Sequence, residues 1–166
     1  MTKNSYQHAY LAGFFDGDGS VLIQLRERKG MKFLFRVKTV VILYQDTRHL
    51  SILKDIQAYV GFGYVYERND HMSELRIEGH KNVLSFLQMV HPYVKFKKQQ
   101  MKYMLEALTL LQKKYSLQEF LEICDLADKV SASNYSSKRR KYTATYVRSA
   151  LQEFSVIPVT TGFPPK

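Results

Sequence analysis

With 166 residues, 45% of them hydrophobic and 24% charged, the chain is long enough for one domain with a real apolar core and too apolar for wholesale disorder. Its 25 Lys and Arg against 15 Asp and Glu give a formal charge of +10, an excess that favours a polyanionic partner such as nucleic acid over a bland surface. The single cysteine, Cys124, excludes an internal disulfide, and no apolar run approaches the length of a membrane span.

Residues 1–8 are polar, with neither a secretory apolar segment nor an Arg-rich transit peptide, which reads as a protein that works where it is made. The first apolar pattern covers residues 6–15, where Tyr6, Ala9, Tyr10, Gly13 and Phe14 recur at helical spacing. It is expected to stop at the glycine pair Gly17 and Gly19. Residues 20–28 then alternate with period two: Val21, Ile23 and Leu25 on one face, Gln24, Arg26 and Arg28 on the other. After a turn at Lys29 and Gly30, a second strand is expected over residues 32–44. Phe33, Phe35, Val37, Val41 and Leu43 share one face, and Lys32, Arg36, Lys38 and Tyr44 share the other. The two runs fit an antiparallel hairpin.

Asp46 or Thr47 can cap a helix carrying Leu50, Leu53, Ile56 and Val60 and closed by Gly61. A second hairpin pairs residues 64–68 with 74–78, and a helix with Val83, Phe86, Leu87 and Val90 stops before Pro92. The order helix, hairpin, helix, hairpin, helix predicts an α+β fold with helices on one sheet face. Residues 98–113 form an amphipathic helix through Met101, Met104, Leu105, Leu108 and Leu111. Ser116-Leu117-Gln118-Glu119 has the form of a capping box and opens a helix through Phe120, Ile123, Ala127 and Val130, with Cys124 in its core face. A basic loop over residues 131–142 precedes a short helix over 145–154. Residues 156–166 hold three of the four prolines and read as a flexible tail after a single domain spanning 1–155.

Between Val21 and Arg48 the chain carries seven Lys or Arg and two acids, and the cations fall on the face opposite the core residues. A two-stranded ribbon fits the major groove of DNA, where Arg and Lys read guanine edges and Gln reads adenine. An ordinary wet sheet face would also be polar, but it would mix charge signs. The candidate DNA contacts are Gln24, Arg26, Arg28, Lys32, Arg36, Lys38, Tyr44, Tyr66, Arg68, Glu74 and Arg76, with Val40 and Ile42 placed to meet thymine methyls. Lys138, Arg139, Arg140 and Lys141 have the composition of a phosphate clamp, or of a merely solvated loop.

Asp16-Gly17-Asp18-Gly19 sets two carboxylates in a glycine turn at a helix end. The last helical carbonyls lack internal partners and the dipole is negative there, so a carboxylate is favoured when a cation is bound. An acidic turn without metal is the plain alternative. A calcium loop of the EF-hand type fits Asp16, Asp18, Ser20 and Glu27 at positions 1, 3, 5 and 12, but its sixth position needs glycine and is Val21, inside a strand pattern.

The stretch Leu11-Ala12-Gly13-Phe14-Phe15-Asp16-Gly17-Asp18-Gly19 resembles the LAGLIDADG motif of the homing endonucleases, and the order of helices and hairpins over roughly residues 5–155 matches too. The resemblance implies an αββαββα core with a curved antiparallel sheet as a DNA-binding saddle, followed by C-terminal helices. One motif is present, as in the homodimeric subgroup that includes the algal organelle intron enzymes. Dimers of that kind pack their motif helices at the two-fold axis, which would use the small residues Ala9, Ala12 and Gly13, and recognise a long pseudo-palindromic site.

Carried over to this chain, the family pattern makes Asp18 the metal ligand and Gly17 a carbonyl ligand, with Asp16 capping the motif turn. Gln45 falls where the family orders an active-site water, and Lys97 on the lysine near the scissile phosphate. The family usually has Arg or Lys four residues after Gln45; here that position is His49, with Arg48 beside it, and both are candidates. The implied chemistry is hydrolysis of both DNA strands with magnesium, or manganese, leaving short 3′ overhangs and supporting intron homing. Calcium is expected to bind without supporting cleavage. Rival readings are an RNA maturase, a cleavage-inactive binding module and a transcription regulator that would not need Asp18. The high Tyr, Phe and Lys content suits an organelle-encoded intron product, although a prokaryotic source also fits.

Overall fold

The computed structural model describes residues 3–134 and 140–154. Along the chain run α1 (Lys3–Asp18), β1 (Gly19–Glu27), β2 (Phe35–Asp46), α2 (Leu50–Val60), β3 (Tyr64–Glu67), β4 (Met72–Glu78), α3 (His80–Val90), α4 (Lys98–Leu111), α5 (Leu117–Ala132) and α6 (Ala144–Glu153). The fold is α+β, and the strands form one antiparallel sheet in the order β1-β2-β4-β3. The flexible-tail expectation for residues 156–166 and the candidate contacts Lys138 and Arg139 lie outside the described residues.

Period-two alternation decides which sheet face is covered. Val21, Ile23 and Leu25 of β1, Val37, Val41 and Leu43 of β2, and Leu75 and Ile77 of β4 are all buried in one apolar core. Helices α1 to α5 pack against that face, and α6 closes over α5. Phe15 of α1 meets Phe86 of α3 edge-on at 5.7 Å, joining the motif helix to the same core. Cys124 is buried there, and burial followed by the nearby Asp125 charge pushes its thiol pKa up to about 12, so it stays a neutral packing group. Among the described residues no helix is long and apolar enough to cross a membrane.

Several local expectations hold, and others are corrected. Gly61 ends α2 in a left-handed conformation (φ 80°), and the Ser116–Glu119 capping box is formed. Asp46 caps a single 3-10 turn, Thr47–His49, ahead of α2. The motif helix stops at the glycine pair, as expected: α1 ends at Asp18, between Gly17 and Gly19, and the chain enters β1 at Gly19 with no intervening loop. Gly19 is required by close approach, because an added Cβ would sit 2.4 Å from the Phe15 carbonyl oxygen. The second strand starts at Phe35, since Leu34 takes a positive φ of 59° inside the turn. Lys32 therefore lies in that turn, its ammonium 4.9 Å from the Phe33 ring centroid, and not on the strand face.

Candidate active site and nucleic-acid interface

Three segments meet at the C-terminal end of α1. The β1–β2 ladder ends at the pair Gly19–Leu43, which sets Asp18 and Gln45 at the same end of the sheet. The loop between α3 and α4 is tied to the helix end through Asp16, whose carboxylate accepts the backbone N–H of Lys95 at 2.6 Å and of Lys97 at 3.0 Å. The Lys97 ammonium in turn donates to the Asp16 carbonyl oxygen, one of the acceptors that a helix end leaves unpaired. Asp16 is thus spent on holding the loop in place, while Asp18 stands exposed at the tip.

Lys97 is half-buried against Phe15, and this burial lowers its pKa below the ordinary 10.5; the charges of Asp16 and Asp18 oppose the shift. Its charge therefore sits close enough to Asp18 to couple with it. Gln45 folds its Oε1 back to accept from the Asp46 N–H at 2.8 Å, which leaves the amide nitrogen as the outward donor. Of the two basic candidates, Arg48 is held by Asp46 through bonds of 3.0 and 2.9 Å, and this pairing brings the Asp46 pKa down to about 2. His49 is exposed and makes no side-chain cap to α2.

The Asp18 carboxylate and the terminal carbonyls of α1, Gly17 among them, are oxygen donors of the kind a hard divalent cation takes. Among the described residues, no three His, Cys, Asp or Glu side chains converge to hold a metal. The donors present, one carboxylate beside helix-end carbonyls, fit part of the oxygen shell of a hard cation.

The sheet face away from the core carries Gln24, Arg26, Arg36, Lys38 and Tyr44, with Arg28 just past the end of β1 and Tyr66 on β3. Burial, and next the neighbouring Glu74, raise the pKa of Tyr44 above its ordinary 10.0. Arg26, Arg28, Arg36 and Tyr66 are exposed, whereas Lys38 pairs with Glu78 at 2.7 Å. Glu74 is only 6% exposed and bridges Arg68 at 3.0 Å and Arg76 at 2.8 Å. Both of its carboxylate oxygens are taken, so the expectation that Glu74 contacts DNA itself is corrected: it orients two arginines that the β4 side offers.

Val40 and Ile42 are corrected as well. They are 0% and 2% exposed, on a central strand flanked by β1 and β4 and in register with Glu78 and Arg76. The face is not single-signed. Glu74, Arg76 and Glu78 alternate on it, and that i, i+2 spacing was present in the sequence. In the basic loop, Arg140 is pinned to the Asp128 carboxylate at 2.7 Å and to the Ala127 carbonyl at 2.8 Å, so it is a structural tie and not a free phosphate clamp. Lys141 remains exposed, and it joins Gln24, Arg26 and Tyr142 around a groove of about 220 Å³ beside β1.

On α1, Ala12 is 0% exposed and packs into its own chain's core, which removes it from any surface contact; Ala9 is half-buried. The stripe presented outward is Tyr6, Tyr10, Gly13 and Gly17, and beside Gly13 and Gly17 an added Cβ would meet open space.

Comparison with known proteins agrees with this geometry. The model of the LAGLIDADG endonuclease family matches residues 11–107. The chain is 33% identical to the DNA endonuclease I-CreI of Chlamydomonas reinhardtii over 147 residues, 88% of this chain and 89% of that protein. It is also 33% identical to the DNA endonuclease I-CvuI of Chlorella vulgaris over 145 residues, 87% of this chain and 89% of that one. The crystal structure of the homing endonuclease I-CvuI with the I-CreI target and magnesium, in which the DNA is not cleaved, superposes with a TM-score of 0.85 at 32% identity, covering 92% of this chain and 96% of that one. An archaeal intron-encoded homing endonuclease, I-Vdi141I, complexed with DNA, shares the fold at a TM-score of 0.81 and 17% identity, covering 93% and 99% of the two chains. On the family match and on identity across most of its length, this chain belongs to the LAGLIDADG endonuclease family.

Proposed function

We propose that the protein is a site-specific homing endonuclease that works as a homodimer and makes double-strand breaks in a long pseudo-palindromic DNA site, in support of intron homing. The observation that carries the reading is an exposed Asp18 near the half-buried Lys97, which the Asp16 carbonyl holds, at the end of the sheet whose outer face carries the exposed arginines. The DNA-bound structures of similar enzymes and their names as DNA endonucleases support it.

In this reading Asp18 of each copy and the Gly17 carbonyl hold a divalent cation, magnesium in the cell. Manganese would substitute, and calcium would bind without supporting cleavage; the magnesium and calcium used in I-CvuI crystals support the choice. When bound, such a cation activates a water and offsets charge developing at the phosphate. Gln45, its carbonyl fixed by the Asp46 amide, donates to the attacking water. Lys97, held by the Asp16 carbonyl, places its positive charge toward the scissile phosphate. Arg48 or His49 completes the site, and the Asp46 pair keeps Arg48 oriented until phosphate competes for it. Gln24, Arg26, Arg28, Arg36, Lys38, Tyr44, Tyr66, Arg68 and Arg76 read the major groove on each half-site. The algal origin of the two relatives supports an organelle genome as the source.

A cleavage selection on randomised duplex DNA with magnesium tests the reading. The expected product is one long, near-palindromic site cut on both strands with short 3′ overhangs. Binding to a recovered site without any cutting would replace the reading with that of a binding module.

A further inference from the structure

Gln100 lies in the first turn of α4, inside the helix's buried stripe with Met101 and Met104, and is only 7% exposed. A primary amide in such a place costs free energy unless it is bonded. Its Nε2 donates to the Ser133 carbonyl at 2.7 Å, just past the end of α5. The next residue, Asn134, donates its Nδ2 to the Val21 carbonyl at 3.0 Å. Val21 belongs to β1, an edge strand of the sheet, three residues after Asp18. The two amides thus join the strand that follows Asp18, by way of the end of α5, to the helix that follows Lys97. From the other side, the Asp16 carboxylate takes the Lys97 backbone N–H and the Asp16 carbonyl takes its ammonium. A ring results: from Asp18 along β1, across Asn134, Ser133 and Gln100 to Lys97, and back through Asp16.

We propose that Gln100 and Asn134 are positioning residues for DNA cleavage, holding Lys97 at a fixed place relative to Asp18; this rests on the endonuclease reading above. Filling space does not call for amides here, since a methionine would occupy the Gln100 position. β1, α4 and α5 already meet in one apolar core through Val21, Met101, Met104 and Ile123. Apolar contact is non-directional, so it holds elements together without fixing how far one slides along another. A hydrogen bond weakens steeply away from its preferred distance and angle, so the amide pair pins α4 along its axis. Lys97 is the N-cap of α4, three residues before Gln100, and a slip of the helix would carry it along. Asp16 fixes Lys97 from the α1 side, and the amides fix it from the β1 side. A misplacement of about 1 Å at a reacting centre costs on the order of 10²-fold in rate, so small slips matter.

Single-turnover cleavage of the recovered site in magnesium, beside metal-free binding isotherms on the full chain, tests this. Gln100→Met and, at a half-buried position, Asn134→Ala should each lower the rate about 10- to 100-fold and leave DNA affinity within a few-fold of wild type. In a Lys97→Met background neither substitution should lower the rate further, because the group they place is gone. Circular dichroism establishes that each variant is folded, and Asn134→Ala carries the test alone where Gln100→Met is not. Wild-type rates in the folded variants, or an undiminished loss in the Lys97→Met background, would overturn the positioning role and leave the endonuclease reading intact. Failure of both variants to fold would make the amides stability elements and overturn it equally. A wild type that cuts no site would remove the endonuclease reading, and this role with it.

Discussion

Two aspartates two residues apart in one motif have been given different work by their surroundings. Asp16 is consumed by two backbone N–H groups of the α3–α4 loop; Asp18 is exposed, with no such ties among the described residues. Lys97 is the residue on which both act, through a carbonyl and through charge. Replacing Lys97 by Met should lower the cleavage rate about 10²- to 10³-fold while changing DNA affinity only a few-fold, measured as single-turnover rates and binding isotherms on the same duplex. The pH dependence has a definite sign. Burial lowers the Lys97 pKa, so the ammonium is present at low pH and is lost as pH rises through a value below 10.5. The wild-type rate should therefore fall on the alkaline side earlier than an exposed lysine would allow, and Lys97→Arg should retain residual cleavage without that limb. The family resemblance offered Asp18, Gln45 and Lys97 as candidates, and the structure sets all three toward one end of the sheet. The division between Asp16 and Asp18 was only partly legible in the sequence, since it depends on which carboxylate meets a loop some 80 residues away.

At the scale of elements, β4 shows where alternation informs and where it misleads. Period two places Glu74, Arg76 and Glu78 on the outer face, and the structure keeps them there, yet it folds them into a chain of ion pairs from Lys38 to Arg68. Cross-strand register creates that chain, and a single strand's pattern does not reveal register. The same register sets the buried Val40 and Ile42 opposite Glu78 and Arg76. Glu74 is expected to be a positioning residue for Arg68 and Arg76. Glu74→Gln should destabilise the fold by about 1–3 kcal/mol in urea denaturation, because the buried Glu74 position loses its charge and the partly buried Arg76 loses that carboxylate. It should also relax base preference over part of each half-site, read as a broader set of cleaved sequences. Unchanged preference in a folded variant would return Glu74 to the role of a surface ion pair. The helical elements were far more legible: Gly61, the Ser116–Glu119 box and the apolar stripes of α3, α4 and α5 each act locally. Ala12 was misplaced for the opposite reason. Small residues suit any close helix contact, and here α1 uses this one against its own core.

The whole molecule sets a largely basic outer sheet face beside the exposed Asp18 at one end of that sheet. A chain with a formal charge of +10 that meets several phosphates should lose affinity by about 10³-fold or more between 50 and 200 mM salt, with log affinity linear in log salt. A shallow slope would mean that the exposed arginines do not track the duplex. The fold class could be read from the chain because hydrophobic period and order of elements alone decide it. What two copies share could not, since one chain carries only one side of each contact. The central claim is that Asp18 performs chemistry and not recognition, and its most direct measurement compares wild type with Asp18→Asn on the recovered site in magnesium. The expected result is loss of double-strand cleavage by several orders of magnitude, with DNA affinity in the metal-free state within a few-fold of wild type. Cleavage by Asp18→Asn at the wild-type rate would contradict the account.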